Sequence, residues 1–71
     1  MDSIKRAVAA ANTGDCAAMR IAALDATDAM SFEERNGDAA TDLLAAAALA
    51  RRGSADQAAK LIRSAARKLG L

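Results

Sequence analysis

Residues 49–69 read LARRGSADQAAKLIRSAARKL, and this stretch decides the fold. Gly53 ends one alanine-rich segment, and Ser54 can cap a helix that follows it. In that helix an apolar stripe recurs at helical spacing, with charged and polar side chains between its members. The stripe consists of Ala58, Leu61, Ile62, Ala65 and Leu69. The stretch therefore predicts two helices joined by a tight turn, of which the second is amphipathic and ends near Leu69.

The same arrangement occurs thirty-nine residues earlier in the chain. Gly14 also separates two apolar stretches, and Ala26 lies twelve residues after it, as Ala65 lies twelve residues after Gly53. Two sets of residues follow helical spacing after Gly14: Ala17, Ile21 and Leu24 in one, and Met19, Ala22, Ala23, Ala26 and Met30 in the other. The repetition predicts a single all-α domain over residues 1–71. We expect two tandem helical hairpins, over about residues 3–30 and 32–69, that form a four-helix bundle or repeat-like unit.

Local signals predict where the helices begin and end. Asp2 or Ser3 can cap a first helix that ends near residue 12, and Asp15 can cap a second over about residues 16–30. Ser31 and Glu34 form a capping-box pattern, which starts a helix near residue 32. The Asn36-Gly37-Asp38 sequence then predicts a break before the main third helix over about residues 39–52. Since no segment alternates with a period of two, we expect no strands.

The core that this composition can build is thin. Alanine supplies 22 of the 71 residues, and the large apolar residues number only 15. A chain of this length is near the lower limit for a self-sufficient core. We therefore expect a second copy, as in a dimer, or another partner to contribute to stability.

Part of the second hairpin resembles a tetratricopeptide repeat. That family places a glycine at the turn and small or apolar residues at fixed offsets after it, and Gly53, Ala58, Ile62 and Ala65 fill those places. The resemblance covers residues 49–65, whereas the spacing of 39 residues between the two hairpins exceeds the family repeat of about 34. It implies a scaffold that binds proteins and has no catalytic activity.

Most catalytic chemistry lacks the necessary residues. The chain has no His, Trp or Tyr and a single Cys, so a metal site built on His or Cys clusters is excluded and no cofactor is expected. Cys16 is interpreted as a small apolar packing residue, and the glycines form no phosphate-binding loop. We expect that the protein is not an enzyme. The lone cysteine, the absence of a signal-peptide pattern and the short apolar runs favour a cytoplasmic protein without a membrane partner.

Charge is segregated along the chain. Residues 1–42 carry eight acidic and four basic side chains, whereas residues 43–71 carry one acidic and six basic side chains. Lys60, Arg63 and Arg67 fall on one face of the last helix. The six basic residues are the predicted partner-binding set: Arg51, Arg52, Lys60, Arg63, Arg67 and Lys68. Asp25 and Asp28 lie three residues apart on the second helix and form the alternative, acidic candidate.

These patterns favour a non-catalytic protein–protein interaction module, in particular a small bacterial or phage-encoded regulator or inhibitor. Anti-CRISPR proteins, which occlude a larger target, are one example of that class. A nucleic-acid-binding protein is the first alternative, because residues 49–62 resemble the helix-turn-helix family in their glycine-centred turn. That family has an apolar residue just before the glycine, where this chain has Arg52. The second alternative is a subunit of a larger helical assembly.

Overall fold

The computed structural model describes residues 2–71, and helices make up 81% of them. The helices are α1 (Asp2–Thr13), α2 (Cys16–Asp28), α3 (Phe32–Arg35), α4 (Asp38–Arg51) and α5 (Ala55–Lys68). No strand occurs among the described residues. The all-α prediction is confirmed, and the break predicted at Gly37 separates the single turn of α3 from α4.

Two glycines make the turns of the hairpins. Gly14 has a φ of 71° and Gly53 a φ of 84°, which is the left-handed conformation that follows many helix ends. Asp15 then caps α2 as predicted, since its carboxylate accepts a hydrogen bond from the Ala18 backbone N at 3.1 Å. Both hairpin turns are thus formed by a glycine in the left-handed conformation.

Two other predicted caps are wrong. Ser54 occupies the N-cap position of α5, but its side chain makes no capping hydrogen bond. Its ψ of 70° lies outside the extended region from which an N-cap hydroxyl reaches the first turn. Ser3 lies inside α1 and is not its N-cap, and Asp2 is the first described residue of that helix.

A capping box begins α3, and Arg35 joins α3 to the end of α2. The Ser31 hydroxyl accepts from the Glu34 backbone N at 3.3 Å, and the Ser31 backbone N donates to the Glu34 carboxylate at 3.0 Å. The hydrogen bond from the Ser31 backbone N–H is the main reason why the pKa of Glu34 is lowered, and the Ser31 side chain adds to it. The Arg35 guanidinium donates to the Thr27 and Asp28 carbonyls at 3.3 and 2.8 Å and so satisfies the C-terminal end of α2.

The four longer helices pack in the order α1, α2, α4 and α5, and α5 packs back against α1. Residues at the beginning of α1 lie beside residues at the end of α5, so these two helices run in opposite directions. The arrangement is an up-down-up-down four-helix bundle. The α1/α5 side and the α2/α4 side are therefore opposite faces of the bundle.

Alanine dominates the core. Of the twenty buried apolar residues among residues 2–71, fifteen are alanines, and the largest fully buried side chains are Ile4, Met19, Leu43 and Ile62. Alanine contributes little side-chain volume to the space between the helices. The thin core predicted from composition is confirmed.

The large apolar residues are not all in that core. Met1 lies outside the described residues, and five others are exposed: Ile21, Leu24, Phe32, Leu44 and Leu71. On α2, the set that begins with Met19 is buried, whereas Ala17, Ile21 and Leu24 form an exposed stripe. The two sets lie on different sides of the helix, and only one side faces the other helices.

The apolar stripe predicted on α5 is partly wrong. Ala58, Ile62 and Ala65 are buried as expected, but Leu61 and Leu69 are half-buried. Ala59 and Ala66 take the remaining core positions. The buried residues of α5 thus form an arc that includes Ile62, and Leu61 and Leu69 pack against the core from its border.

Candidate functional site

The six predicted basic residues are all exposed, but they do not share one face. Lys60, Arg63 and Arg67 lie on the side of α5 that borders α1. Arg51 borders α2, where it shares a crevice with Arg20. The structure therefore brings three of the six residues together, and Arg51, Arg52 and Lys68 do not line the surface between α1 and α5.

Lys68 is on the opposite edge of α5 and is held by α4. Its ammonium group lies 2.8 Å from the Asp42 carboxylate, which also accepts a hydrogen bond from the Ser64 hydroxyl at 2.9 Å. The Lys68 hydrogen bond is the main reason why the pKa of Asp42 is lowered, and the Ser64 hydrogen bond adds to it. Lys68 thus stabilises the α4–α5 packing.

An apolar groove with a basic rim runs between α1 and α5. It encloses about 540 Å³ next to the first turns of α1 and the last turns of α5. Four apolar residues form its floor and walls: Ile4, Val8, Ala66 and Leu71. Three cationic side chains surround them: Lys5, Arg63 and Arg67. We call this site the α1/α5 groove.

Arg63 links this groove to a second hollow further along the same two helices. The second hollow encloses about 460 Å³ between the α1–α2 turn and the first turns of α5, and Lys60 lines it. The Arg63 guanidinium lines both, and it donates a hydrogen bond to the Asn12 side-chain oxygen at 3.1 Å. This contact fixes the cation between the two hollows.

Lys5 belongs to the rim of the groove but was not among the predicted site residues. It lies on α1, more than fifty residues from Arg63 in sequence, and the charge segregation had assigned the basic surface to the second half of the chain. Only the packing of α5 against α1 brings Lys5 to the same groove. No local pattern around Lys5 would have indicated this position.

The predicted acidic candidates lie on the other side of the molecule. Asp25 and Asp28 are both exposed on α2. Within residues 2–71 neither takes part in a salt bridge, since the single ion pair joins Lys68 to Asp42. Cys16 is half-buried and packs against the core at the other end of the same helix.

No protein-family model, curated protein or solved structure matches this chain. The likeness of residues 49–65 to a tetratricopeptide hairpin remains a resemblance of those residues. Among the described residues, no helix combines the length and the apolar character that crossing a membrane requires.

Proposed function

We propose that the protein is a non-catalytic interaction module that binds an acidic, amphipathic segment of a protein partner in the α1/α5 groove. The observation that carries the proposal is the combination of an apolar surface, to which the accessible side chains of Val8 and Leu71 contribute, with the cations Lys5, Arg63 and Arg67 around it. In this role the chain is a small regulator or inhibitor that acts by covering a surface of a larger protein.

The groove supports this occupant on physical grounds. An amphipathic helix binds in a groove through apolar side chains at i, i+3, i+4 and i+7, and its polar residues stay at the rim. Acidic residues at those rim positions would meet Lys5, Arg63 and Arg67. Such complementary charges mainly increase the association rate and select the partner, whereas burial of the apolar side chains provides most of the affinity.

A nucleic acid fits the groove less well. Phosphates need cations that follow the backbone, but here an apolar surface separates the cations of α1 from those of α5. Asp56 lies in the first turn of α5, where its carboxylate would repel a phosphate at the helix N-terminus. We propose a protein partner for this reason, and a nucleic acid or a larger helical assembly becomes a competing outcome of the test.

Direct titration tests the proposal. The probe is a labelled helical peptide with leucines at i, i+3, i+4 and i+7 and glutamates flanking them, and its control carries lysines instead of the glutamates. We expect that the acidic peptide binds, that the basic peptide does not, and that added salt weakens binding. Binding of duplex DNA with a steep salt dependence, together with no binding of the acidic peptide, would reject the proposal.

Matched variants locate the binding site. Arg63→Glu/Arg67→Glu reverses two cations of the groove, and Arg6→Glu/Arg52→Glu reverses two exposed cations that do not line it. Both pairs change the net charge equally. The first pair should weaken peptide binding at least about tenfold, corresponding to about 1.4 kcal/mol, and the second pair should change it little. Equal losses in both variants would mean that total charge, and not the groove, attracts the peptide.

A further inference from the structure

The outer side of the α2/α4 face carries an exposed apolar patch. Ile21 is 55% exposed, Leu24 38% and Leu44 49%, and the last two line one shallow crevice between α2 and α4. Ala17 and Ala48 extend the apolar surface along the two helices. This patch lies on the opposite side of the bundle from the α1/α5 groove, so the proposed partner segment does not cover it.

Charges of opposite sign lie at the two ends of the patch. Arg20 and Arg51 border the crevice at the beginning of α2 and the end of α4. Asp25 and Asp28 lie towards the end of α2, beyond Leu24. Arg35 is also at this end, and its guanidinium donates to two backbone carbonyls there. Along this side of α2 the order is therefore a cation, two apolar side chains and the Asp28 carboxylate, which lies four residues after Leu24.

We infer that this face binds a second copy of the same chain. A two-fold axis perpendicular to the helices and centred near Leu24 would place α2 against α2 of the second copy, running in the opposite direction. Arg20 of each chain would then face Asp28 of the other, and the Ile21 and Leu24 side chains would meet in the middle. A surface with a basic end, an apolar centre and an acidic end is complementary to itself in this orientation.

The charges also disfavour the other two-fold arrangement. An axis parallel to the helices would bring Arg20 and Arg51 of one chain to the same residues of the second copy, and the carboxylates would also meet each other. Like charges that face each other in an interface make the free energy of association less favourable. The charge order thus selects the antiparallel pairing over the parallel one.

The area requirement indicates how much of the face must take part. The described chain exposes 4181 Å². A stable interface of ordinary size buries about 800 Å² per partner, which is about one fifth of this surface. One side of a four-helix bundle is of that order, so the dimer must use nearly the whole α2/α4 face. The α1/α5 groove of each copy would then point outward, which makes the dimer bivalent for the proposed partner.

Sedimentation velocity of the full chain, from micromolar to near-millimolar concentration, tests the pairing. We expect a reversible monomer–dimer equilibrium. Ile21→Asp should weaken dimerisation at least about tenfold, whereas Leu71→Asp, at a residue of similar exposure (54%) that lines the α1/α5 groove, should not change it. Circular dichroism checks that both variants are folded, and Leu44→Asp repeats the test on α4. A wild-type monomer at all concentrations, or dissociation by Leu71→Asp alone, would overturn the inference.

A charge exchange tests the orientation. Arg20→Asp and Asp28→Arg should each weaken the dimer because each creates a like-charged pair across the interface. The double variant Arg20→Asp/Asp28→Arg should restore the wild-type dissociation constant. A tighter dimer in Arg20→Asp alone would show that like ends meet, and failure of the double variant to recover would also reject the antiparallel pairing. Neither result bears on the α1/α5 groove, which its own peptide titration tests.

Discussion

The second helices of the two hairpins, α2 and α5, can be compared position by position from the glycine that precedes each of them. Seven residues after Gly14 the chain has Ile21, and seven residues after Gly53 it has Lys60. Ten residues after each glycine the pair is Leu24 and Arg63, and fourteen residues after each it is Asp28 and Arg67. All six of these side chains are exposed. The second helices of the two hairpins therefore differ in chemistry at every one of these outward positions.

The inward positions of the same two helices are alike in their burial. Five, nine and twelve residues after the glycines, the pairs are Met19 and Ala58, Ala23 and Ile62, and Ala26 and Ala65. All six of these residues are fully buried. The repetition in the sequence therefore specifies packing, while the outer residues of each hairpin form different surfaces: apolar and acidic on α2, and basic on α5.

The largest expected effect comes from placing a charge at the equivalent buried positions. Ile62→Asp and Ala23→Asp should each unfold the protein, because an unpaired buried carboxylate costs several kcal/mol, comparable to the ~5–15 kcal/mol stability of a domain. Leu61→Asp, which the apolar stripe alone would rank as equally damaging, should cost less because Leu61 is half-buried. Thermal melts followed by circular dichroism measure all three. Equal melting of Ile62→Asp and Leu61→Asp would show that the two sides of α5 are not distinct.

The two turn glycines test whether the turns of the two hairpins are structurally equivalent. A Cβ at Gly14 or Gly53 would meet no atom within 4 Å, so the cost of Gly14→Ala or Gly53→Ala is only that of the left-handed backbone. We expect each substitution to cost roughly 1–2 kcal/mol, which lowers the melting temperature by about 4–8 °C per kcal/mol. A large difference between the two variants would mean that the two turns are not structurally equivalent.

The structural features that depend only on residues close together in the sequence could be predicted from it. The left-handed turns at Gly14 and Gly53, the Asp15 cap and the Ser31–Glu34 capping box are each determined within a few residues, and each is confirmed. The break at Gly37 also follows from its immediate neighbours.

What could not be predicted depends on which helices become neighbours. Periodicity revealed two apolar sets on α2 but could not show that the set containing Leu24 faces outward. From hydrophobicity alone, Leu61 would be expected to be more deeply buried in the core than Ala59. In the structure the smaller Ala59 side chain is the buried one, since dense packing between helices favours it. In the candidate site, Arg63 and Arg67 were identified from their face of α5, whereas Lys5 enters the groove only through the α1–α5 packing.

A smaller effect is expected at the N-caps of α3 and α5. Both positions hold serine, but only the Ser31 hydroxyl makes a capping hydrogen bond. Ser31→Ala should therefore cost about 1 kcal/mol, whereas Ser54→Ala should change the free energy of unfolding by only a few tenths of that. Urea unfolding of the two variants beside the wild type measures the difference. A larger loss in Ser54→Ala would show that the serine before α5 caps the helix in solution.

The smallest expected effect concerns the ion pair that joins α4 to α5. The Lys68 and Ser64 hydrogen bonds lower the pKa of Asp42 in the folded protein. Because the folded pKa is lower than the unfolded one, the carboxylate stabilises the fold at neutral pH. That contribution is lost as the pH falls through the usual aspartate range and then through the lowered folded pKa. The pair is partly exposed, so Asp42→Asn should cost only about 0.2–1 kcal/mol at neutral pH.

Measuring the melting temperature as the pH is lowered separates the effect of this ion pair on stability from the general effect of charge. In Asp42→Asn the acid-dependent loss of stability should be shallower than in the wild type, because one of the groups responsible for it has been removed. Lys68→Met is the matched variant, since it removes the cationic partner and leaves the Asp42 carboxylate in place, and it should also make the profile shallower. Identical acid profiles for Asp42→Asn and the wild type would mean that the pair does not stabilise the second hairpin. The two hairpins would then differ only in their outward chemistry, and the salt bridge would be no part of what holds α5 in place.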